Sequence, residues 1–591
     1  MPLISISGAD GSYFFVLKVG LDYELSAEYK GLSSAAIPLR VSNSDEKVAL
    51  NLKLLPSIQF EDITGKAGLE FTLNNGASGR SYQPEIMLGG VAAFDFDNDG
   101  CQDIFFTNGA SLPSLKKTGP EFHNRLYRNN CNGTFTDVTS KAGLAGEGYS
   151  MGVGAADYDN DGFADLLVTG VKGNTLYRNK GDGTFENVTI KVGLDVPDPK
   201  FGRMWSIAAG WFDYDNDGYL DLFVTNYVAW TPESEQSCSD QGMSFYCHPR
   251  VFKGLPNQLF HNNGDGTFTD VSMRSGIRAS IGKGMGLAFG DFNGDGLLDI
   301  FVANDSTPNF LFRNLGAGKF QECALQMGVA YPANGKAVAG MGVDFRDFND
   351  DGLEDIAMNA MYFDTFPLFR NLGKPKYFID DTSSSGVAIA TRNLTGWSMG
   401  LYDFDNDGHK DLFYASSHFP GSDPYVHSPA EIPNHILRNM GGGFFEDVSG
   451  SAGSGFQRPA LYHGAAFADF DNDGRVDVVV TALNGTARLF RNVSKPDSHW
   501  IALRLSGMKS NRSGLGAGVK LTLPTGTVKY NRTSTSVGYA SSSEAIVRFG
   551  LGPYDRATKI EIRWPSGQLQ MLNDQKADRL LVVKENMVSL N

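Results

Sequence analysis

Asp95-Phe96-Asp97-Asn98-Asp99-Gly100-Cys101-Gln102-Asp103 sets four carboxylates at positions one, three, five and nine of a nine-residue stretch, with glycine at six. Asp, Asn and Gly are turn formers, and the glycine lets the chain double back so that alternate side chains face one centre. A single stretch of this kind reads as a turn. The same spelling returns at Asp157, Asp213, Asp291, Asp347, Asp403 and Asp469, after gaps of 62, 56, 78, 56, 56 and 66 residues. A unit that recurs in this way is one supersecondary element with variable insertions, so 591 residues need not mean several unrelated domains.

The surroundings of each loop repeat as well. A small-residue segment such as GMGLAFGDF precedes it and an apolar run such as DIFFTN or DLLVTG follows. Then come RLYRN, TLYRN, QLFHN, FLFRN, PLFRN, HILRN and RLFRN, and after six of these TFTDVT, TFENVT, TFTDVS, KFQECA, YFIDDT and FFEDVS. Short aromatic and β-branched runs bounded by Gly and Asn read as strands. Four strands per period in tandem describe a β-propeller blade. The last of the seven repeats has no fourth segment after it, while a similar one, Phe60–Thr64 (FEDIT), stands before the first loop. The expectation is ring closure, with Phe60–Thr64 beside Leu489–Asn492 and no exposed sheet edge left. The fold class expected is all-β: a seven-bladed β-propeller over residues 59–493, a truncated N-terminal β-sandwich remnant over 1–52 and a small C-terminal β domain over 498–586.

Carboxylates brought together in a turn repel and raise one another's pKa unless a cation sits among them. Oxygen ligands and a flexible loop suit Ca²⁺ better than octahedral Mg²⁺. The expected ligands are Asp95, Asp97, Asp99 and Asp103; Asp157, Asp159, Asp161 and Asp165; Asp213, Asp215, Asp217 and Asp221; Asp291, Asn293, Asp295 and Asp299; Asp347, Asn349, Asp351 and Asp355; Asp403, Asp405, Asp407 and Asp411; and Asp469, Asp471, Asp473 and Asp477. Asn293 and Asn349 keep an oxygen donor with less charge. Seven divalent ions would nearly cancel the formal net charge of −16. Repeated identical sites filled by protein ligands point to about seven structural ions, each stiffening a hairpin, rather than to catalytic ones.

The acidic balance argues against nucleic acid and anionic membrane surfaces as partners. No stretch approaches the roughly 18 apolar residues of a membrane span, and MPLISISGADGSYFF is not a signal peptide.

The repeats resemble FG-GAP/VCBS repeats, in which the side chains at loop positions one, three, five and nine bind calcium. The tail resembles the ASPIC/UnbV domain through Asn511-Arg-Ser-Gly-Leu-Gly-Ala-Gly-Val, Gly538-Tyr-Ala-Ser-Ser-Ser, Phe549-Gly-Leu-Gly and Trp564-Pro-Ser-Gly. The combination is similar to the cartilage acidic protein family, which also shares the Cys238…Cys247-x-Pro…Gly-Leu-Pro-Asn-x-Leu-Phe insertion. This implies an exported matrix, adhesion or surface protein that binds a protein or glycan ligand, with no membrane insertion and no established enzymatic activity. Residues 1–52 look like the last strands of a carboxypeptidase-regulatory-like β-sandwich, an expectation of an N-terminus truncated from a longer, exported chain. In an exported protein Cys238 and Cys247 are expected to pair, Cys101 and Cys131 are open to pairing too, and Cys323 is left as a buried apolar residue.

Other chemistry is weaker. Gly148-Tyr-Ser150-Met-Gly152 and Gly396-Trp-Ser398-Met-Gly400 match GxSxG, but both precede Asp loops and are read as strand residues inherited with the repeat in one register, not as nucleophile elbows. His418, His427 and His435 cluster in an insertion at Ser416–Asn434. Further insertions occupy Asn226–Pro256 and Ser111–Phe122, where recognition residues on a rigid scaffold usually reside. The alternative to a binder is a propeller-based hydrolase or lyase, or a role in natural-product biosynthesis. The segments entering the channel, rich in Gly, Ala and Met, favour the binder.

Overall fold

The computed structural model describes residues 58–586 other than 241–242, 375–376, 420–428 and 495–497. Before residue 58 it describes two strand pairs: Asp22–Leu25 with Ile37–Arg40, and Glu28–Tyr29 with Leu32–Ser33. Outside these pairs, the sandwich expected over 1–52 lies beyond the described residues.

From residue 58 onward the chain is all-β. Among the described residues, seven four-stranded antiparallel sheets follow one plan, each strand pairing with the next in order. Sheet 1 is Val91–Phe94, Asp103–Phe106, Arg125–Asn129 and Phe135–Asp137. Sheets 2 to 6 begin with Ser150–Ala156, Ser206–Phe212, Gly284–Gly290, Val343–Arg346 and Gly396–Tyr402. Sheet 7 takes three strands from Tyr462–Ala468, Asp477–Ala482 and Arg488–Asn492. Its fourth is Phe60–Asp62, which pairs through Phe60↔Asn492, Glu61↔Arg491 and Asp62↔Phe490. The strand placed before the first loop thus completes the last sheet.

The first strands neighbour one another in chain order, and that of sheet 7 lies beside that of sheet 1, a propeller-like arrangement. They are wholly buried and rich in small residues because adjacent backbones meet closely there. A Cβ on Gly464 of sheet 7 would lie 1.7 Å from the Gly89 carbonyl before sheet 1. Large side chains from the two middle strands fill the space between sheets, as where Phe223 of sheet 3 meets Phe312 of sheet 4 at 6.3 Å between ring centroids.

The C-terminal part forms two further sheets. His499–Ser506 pairs antiparallel with Val547–Gly552 and parallel with Arg579–Lys584. Gly518–Thr522 lies between Val528–Arg532 and Arg556–Arg563, and the last pairs with Leu569–Lys576. Leu503, Val519, Ile560 and Trp564 belong to the core between them. No helix among the described residues is long and apolar enough to cross a membrane.

Candidate functional site

Each acidic loop joins the first and second strands of its sheet, and local hydrogen bonds shape it. The first Asp accepts the amide of the sixth residue in all seven loops; in loop 1, Asp95 takes those of Asp99 (3.1 Å) and Gly100 (3.0 Å). The fifth accepts from the seventh, as Asp99 does from Cys101 (2.9 Å). The ninth opens the second strand. Asp103 takes the amides of Phe96 (2.9 Å) and Asn129 (2.7 Å), locking the loop to the third strand. Gly100 has φ of 92°, which only glycine adopts freely.

These turns draw carboxylates into burial. Burial pushes Asp103 and Asp213 up to about 8, Asp157, Asp221 and Asp405 up to about 7, and Asp347 and Asp469 up to about 6. It pushes Asp165, Asp299, Asp355, Asp403, Asp411 and Asp477 well above the usual carboxylate range. Ligand oxygens from Asp95, Asp97 and Asp99, from Asp157, Asp159 and Asp165, and from Asp213, Asp215 and Asp217 lie within 4.8 Å of one another in each set.

Arginines from the third strands also reach these loops, a feature the sequence reading missed. Arg128 holds Asp97 Oδ2 (2.5 Å) and Asp99 Oδ2 (2.7 Å), and Arg178 and Arg438 do the same in loops 2 and 6. His261 takes this place in loop 3, 3.1 Å from Asp221. The guanidinium groups engage one oxygen of the third-position carboxylate. The other oxygens, Asp97 Oδ1 and Asp405 Oδ1, are buried with no hydrogen-bond partner. A hard cation coordinated by the first, third, fifth and ninth residues would satisfy these oxygens, so the donor set fits Ca²⁺. Asn293 and Asn349 occupy the expected third positions. The Asn349 amide, however, donates to Asp351 Oδ2 (3.1 Å), so its oxygen rather than its nitrogen must serve a metal.

The asparagine ending every third strand ties each loop to the preceding one. Asn129 Nδ2 donates to Gln102 O in its own loop and to Phe470 O in loop 7 (2.8 Å). Asn179, Asn262, Asn314, Asn371, Asn439 and Asn492 reach Phe96, Tyr158, Tyr214, Phe292, Phe348 and Phe404 in turn. At about 1 kcal/mol net for each such bond, the circuit is a substantial source of cohesion. Its signal was visible as the Asn repeated in all seven RLYRN-like segments.

The C-terminal domain docks on the loop face and threads the channel. Gly538 N–H donates to Val343 O (2.8 Å), Val153 N–H to Ala540 O (3.0 Å) and Ser542 N–H to Val91 O (2.9 Å). Tyr539 is fully buried and donates its hydroxyl to Met87 O (2.6 Å). Gly538 has φ of 83°, and a Cβ there would come within 2.2 Å of Ser398 Oγ.

Other expectations divide. Cys101–Cys131 and Cys238–Cys247 are both disulfide-bonded, and Cys323 is free, buried, with its thiol pushed up to about 12 by burial. Ser150 and Ser398 both lie on first strands, but not in one register: Ser150 faces Gly170, whereas Gly396, not Ser398, faces the equivalent Ser416. The two matches are therefore unrelated coincidences of a Gly-rich strand rather than one inherited position. His418 is buried and bonded to Thr395 Oγ1 (3.0 Å), His435 is half-buried on a third strand, and His427 lies outside the described residues.

A ring of repeated sheets with acidic hairpins and a docked β domain defines a propeller repeat protein. FG-GAP-like repeats match residues 95–168, 158–224, 251–302, 291–358 and 403–480, taking in all seven loops, and the ASPIC and UnbV family matches 507–589. The chain belongs to the FG-GAP-like repeat family with a C-terminal ASPIC/UnbV domain. It is 24% identical to mouse (Mus musculus) cartilage acidic protein 1 over 551 residues, covering 88% of this chain and 78% of that protein. It is 26% identical to the human (Homo sapiens) protein over 317 residues, covering 51% and 44%. Among solved structures it is similar to an Agrocybe aegerita lectin that recognises non-reducing terminal N-acetylglucosamine (17% identity, TM-score 0.37, covering 74% of this chain and 92% of that one). A second is the rhamnogalacturonan lyase YesW (13% identity, TM-score 0.36, covering 84% and 91%).

Proposed function

We propose that the chain is a calcium-loaded, seven-bladed propeller over residues 59–493, exported from the cell, that serves as a non-catalytic scaffold binding a protein or glycan ligand. The observation that carries calcium is the pair of buried, unpartnered carboxylate oxygens, Asp97 Oδ1 and Asp405 Oδ1, within loops spelled the same way seven times. Two disulfides support an oxidising compartment. A binder rather than an enzyme is supported by the channel axis, where Gly538–Ser542 fills space that a reaction centre would need. The ligand face is assigned to the insertions, chiefly Asn226–Pro256, braced by the Cys238–Cys247 disulfide.

Elemental analysis with melting scans tests this reading. About seven calcium ions per chain and a large drop in Tm on chelation are expected, and few ions or an unmoved Tm would overturn it. The stripped protein has a defined pH signature. Its loop carboxylates have folded pKa values raised to about 6–8 by burial, above the unfolded value. They contribute stability that is complete below the unfolded pKa and is lost as pH rises through the folded ones. The chelated protein should therefore melt higher near pH 5 than near pH 8, while the calcium-loaded protein shows no such gain on acidification.

A further inference from the structure

A cavity of 380 Å³ opens where Met87, Met285 and Met341, near the starts of their sheets' first strands, meet the insertions. That size is in the range of small-molecule sites. Its walls are aromatic and thioether: Tyr227, Tyr246, Tyr362, Phe363 and Phe419 face it together with the methionines. Polar groups gather at one part of it. Asp305, 5% exposed, accepts the Tyr227 hydroxyl (2.6 Å) and the Ser306 hydroxyl (2.9 Å) and makes no ion pair among the described residues. Lys283 commits its Nζ to Pro249 O (2.8 Å) instead. Gln83, 1% exposed, donates its amide nitrogen to Cys247 O (3.2 Å), but its Oε1 is buried without a partner.

The lining thus offers a carboxylate and an orphaned amide oxygen, both acceptors, among π faces. Burial holds His248 and His418 below their usual pKa, so neither supplies a positive charge at neutral pH. Phe363 stands at the rim, 75% exposed, with φ of 69°. A bulky aromatic held in the left-handed region is strained and points to a functional placement. Anions are excluded by the carboxylate, and a neutral apolar guest would leave the Gln83 acceptor unmet.

We propose that this cavity binds a small organic cation, an alkyl- or arylammonium whose charged head lies at Asp305 and Gln83 and whose apolar body packs against the aromatic and methionine walls. Ammonium groups are attracted to the faces of Tyr and Phe as well as to carboxylates, so both halves of the lining select the same chemistry. The site is separate from the acidic loops and holds whether or not they carry calcium; Tyr227, Tyr246 and His248 of the Asn226–Pro256 insertion, to which the ligand face was assigned above, form part of its wall.

The test is calorimetric titration of the full chain with benzylammonium, whose N–H groups can donate to both acceptors, and with ethylbenzene, its uncharged isostere. The cation should bind saturably and at least about tenfold more tightly than the isostere. Asp305→Asn keeps an acceptor for Tyr227 and should abolish that preference. Phe363→Ala, a truncation at the exposed rim, should weaken the cation several-fold with Tm unchanged. Should Asp305→Asn fail to fold, the rim variant and the cation-to-isostere ratio decide. Equal binding of the two probes, no binding of either, or an unchanged preference in a folded Asp305→Asn protein would overturn the proposal.

Discussion

At position four, loops 1, 2, 3, 6 and 7 differ from loops 4 and 5, and the C-terminal domain makes use of the difference. The first group carries Asn at position four, always with φ near 57°. Asn98 reaches the Gly162 carbonyl (2.9 Å), Asn160 that of Gly218 (3.0 Å) and Asn216 that of Gly296 (3.3 Å). Asn406 and Asn472 continue to Gly474 and Gly100. Each loop is thereby tied to the one after it. Loops 4 and 5 have Gly294 and Asp350 instead, and both ties are missing. Charged side chains replace them. Glu354 accepts the Asp291 amide (2.6 Å) and receives Arg532 from the tail (2.5 Å). Asp350 receives Lys529 from the tail (2.6 Å) and lies beside His409 (3.2 Å). The tail touches other loops too, with Arg548 on Asp469 and the Arg512 amide on Asn160, but there the asparagine ties are intact. Repeat symmetry is broken where a second domain has to be recognised, because only a departure from the consensus can tell one loop from its six copies.

The contrast is sharpest at Arg532. Its side chain is half-buried, and the Glu354 charge keeps its pKa above the usual value against the opposing effect of desolvation. Arg532→Ala leaves the half-buried Glu354 without its cation, holding only the Asp291 amide, and removes the donor to Gly516 O (2.7 Å). Losing a charge-assisted bond of this half-buried pair costs about 1.5–3 kcal/mol. We expect Tm to fall markedly and protease cleavage to release the tail from an otherwise folded ring. A variant whose tail stays protected would show that the channel segment alone holds the domain.

Asp350→Asn is a subtler test because it restores the repeat consensus. Burial would raise the Asp350 carboxyl, but the His409 hydrogen bond and the Lys410 and Lys529 charges hold it below its usual value. The substitution strips Lys529 of its partner while offering the ring the missing tie to Gly408. If the comparison holds, the tail loosens by about 1–3 kcal/mol while the ring gains about 1 kcal/mol. Hydrogen exchange should then be faster at Val528–Arg532 and slower at loop 6. Uniform acceleration in both places would mean that the consensus tie cannot form there.

The loops were legible in the sequence because their geometry is local: a carboxylate at position one reaches amides only four and five residues away, so spacing alone encodes the turn. The closing strand was legible for a related reason, since Phe60–Asp62 carries the same spelling as the fourth strands of the other six sheets. The docking of the tail was not. Lys529 and Asp350 are 179 residues apart, and nothing in the local pattern around either names the other. The plug is equally hidden, because Gly538-Tyr-Ala-Ser-Ser-Ser carries no periodicity and its contacts fall on five different sheets. The arginines of the third strands stood in plain view, but their meaning depended on the sheet setting the third strand beside the loop. The register of the two GxSxG matches was misread for the opposite reason: a local motif was credited with a position that only strand pairing assigns.

The smallest expected effect returns to the intact side of the ring. Asn98 is largely exposed and gives one bond across the seam between loops 1 and 2. Its positive φ is one that Asn tolerates better than most residues. Asn98→Ala removes the bond and leaves the strained backbone, costing about 1 kcal/mol, whereas Asn98→Gly removes the bond but relieves the backbone and should cost less. The pair of variants separates the two contributions by Tm. If alanine and glycine are equally destabilising, the tie between loops outweighs the turn. If glycine matches the parent, the asparagine is retained for its backbone conformation, and the ring is held at this level by the buried asparagines of the third strands and by whatever fills the acidic loops.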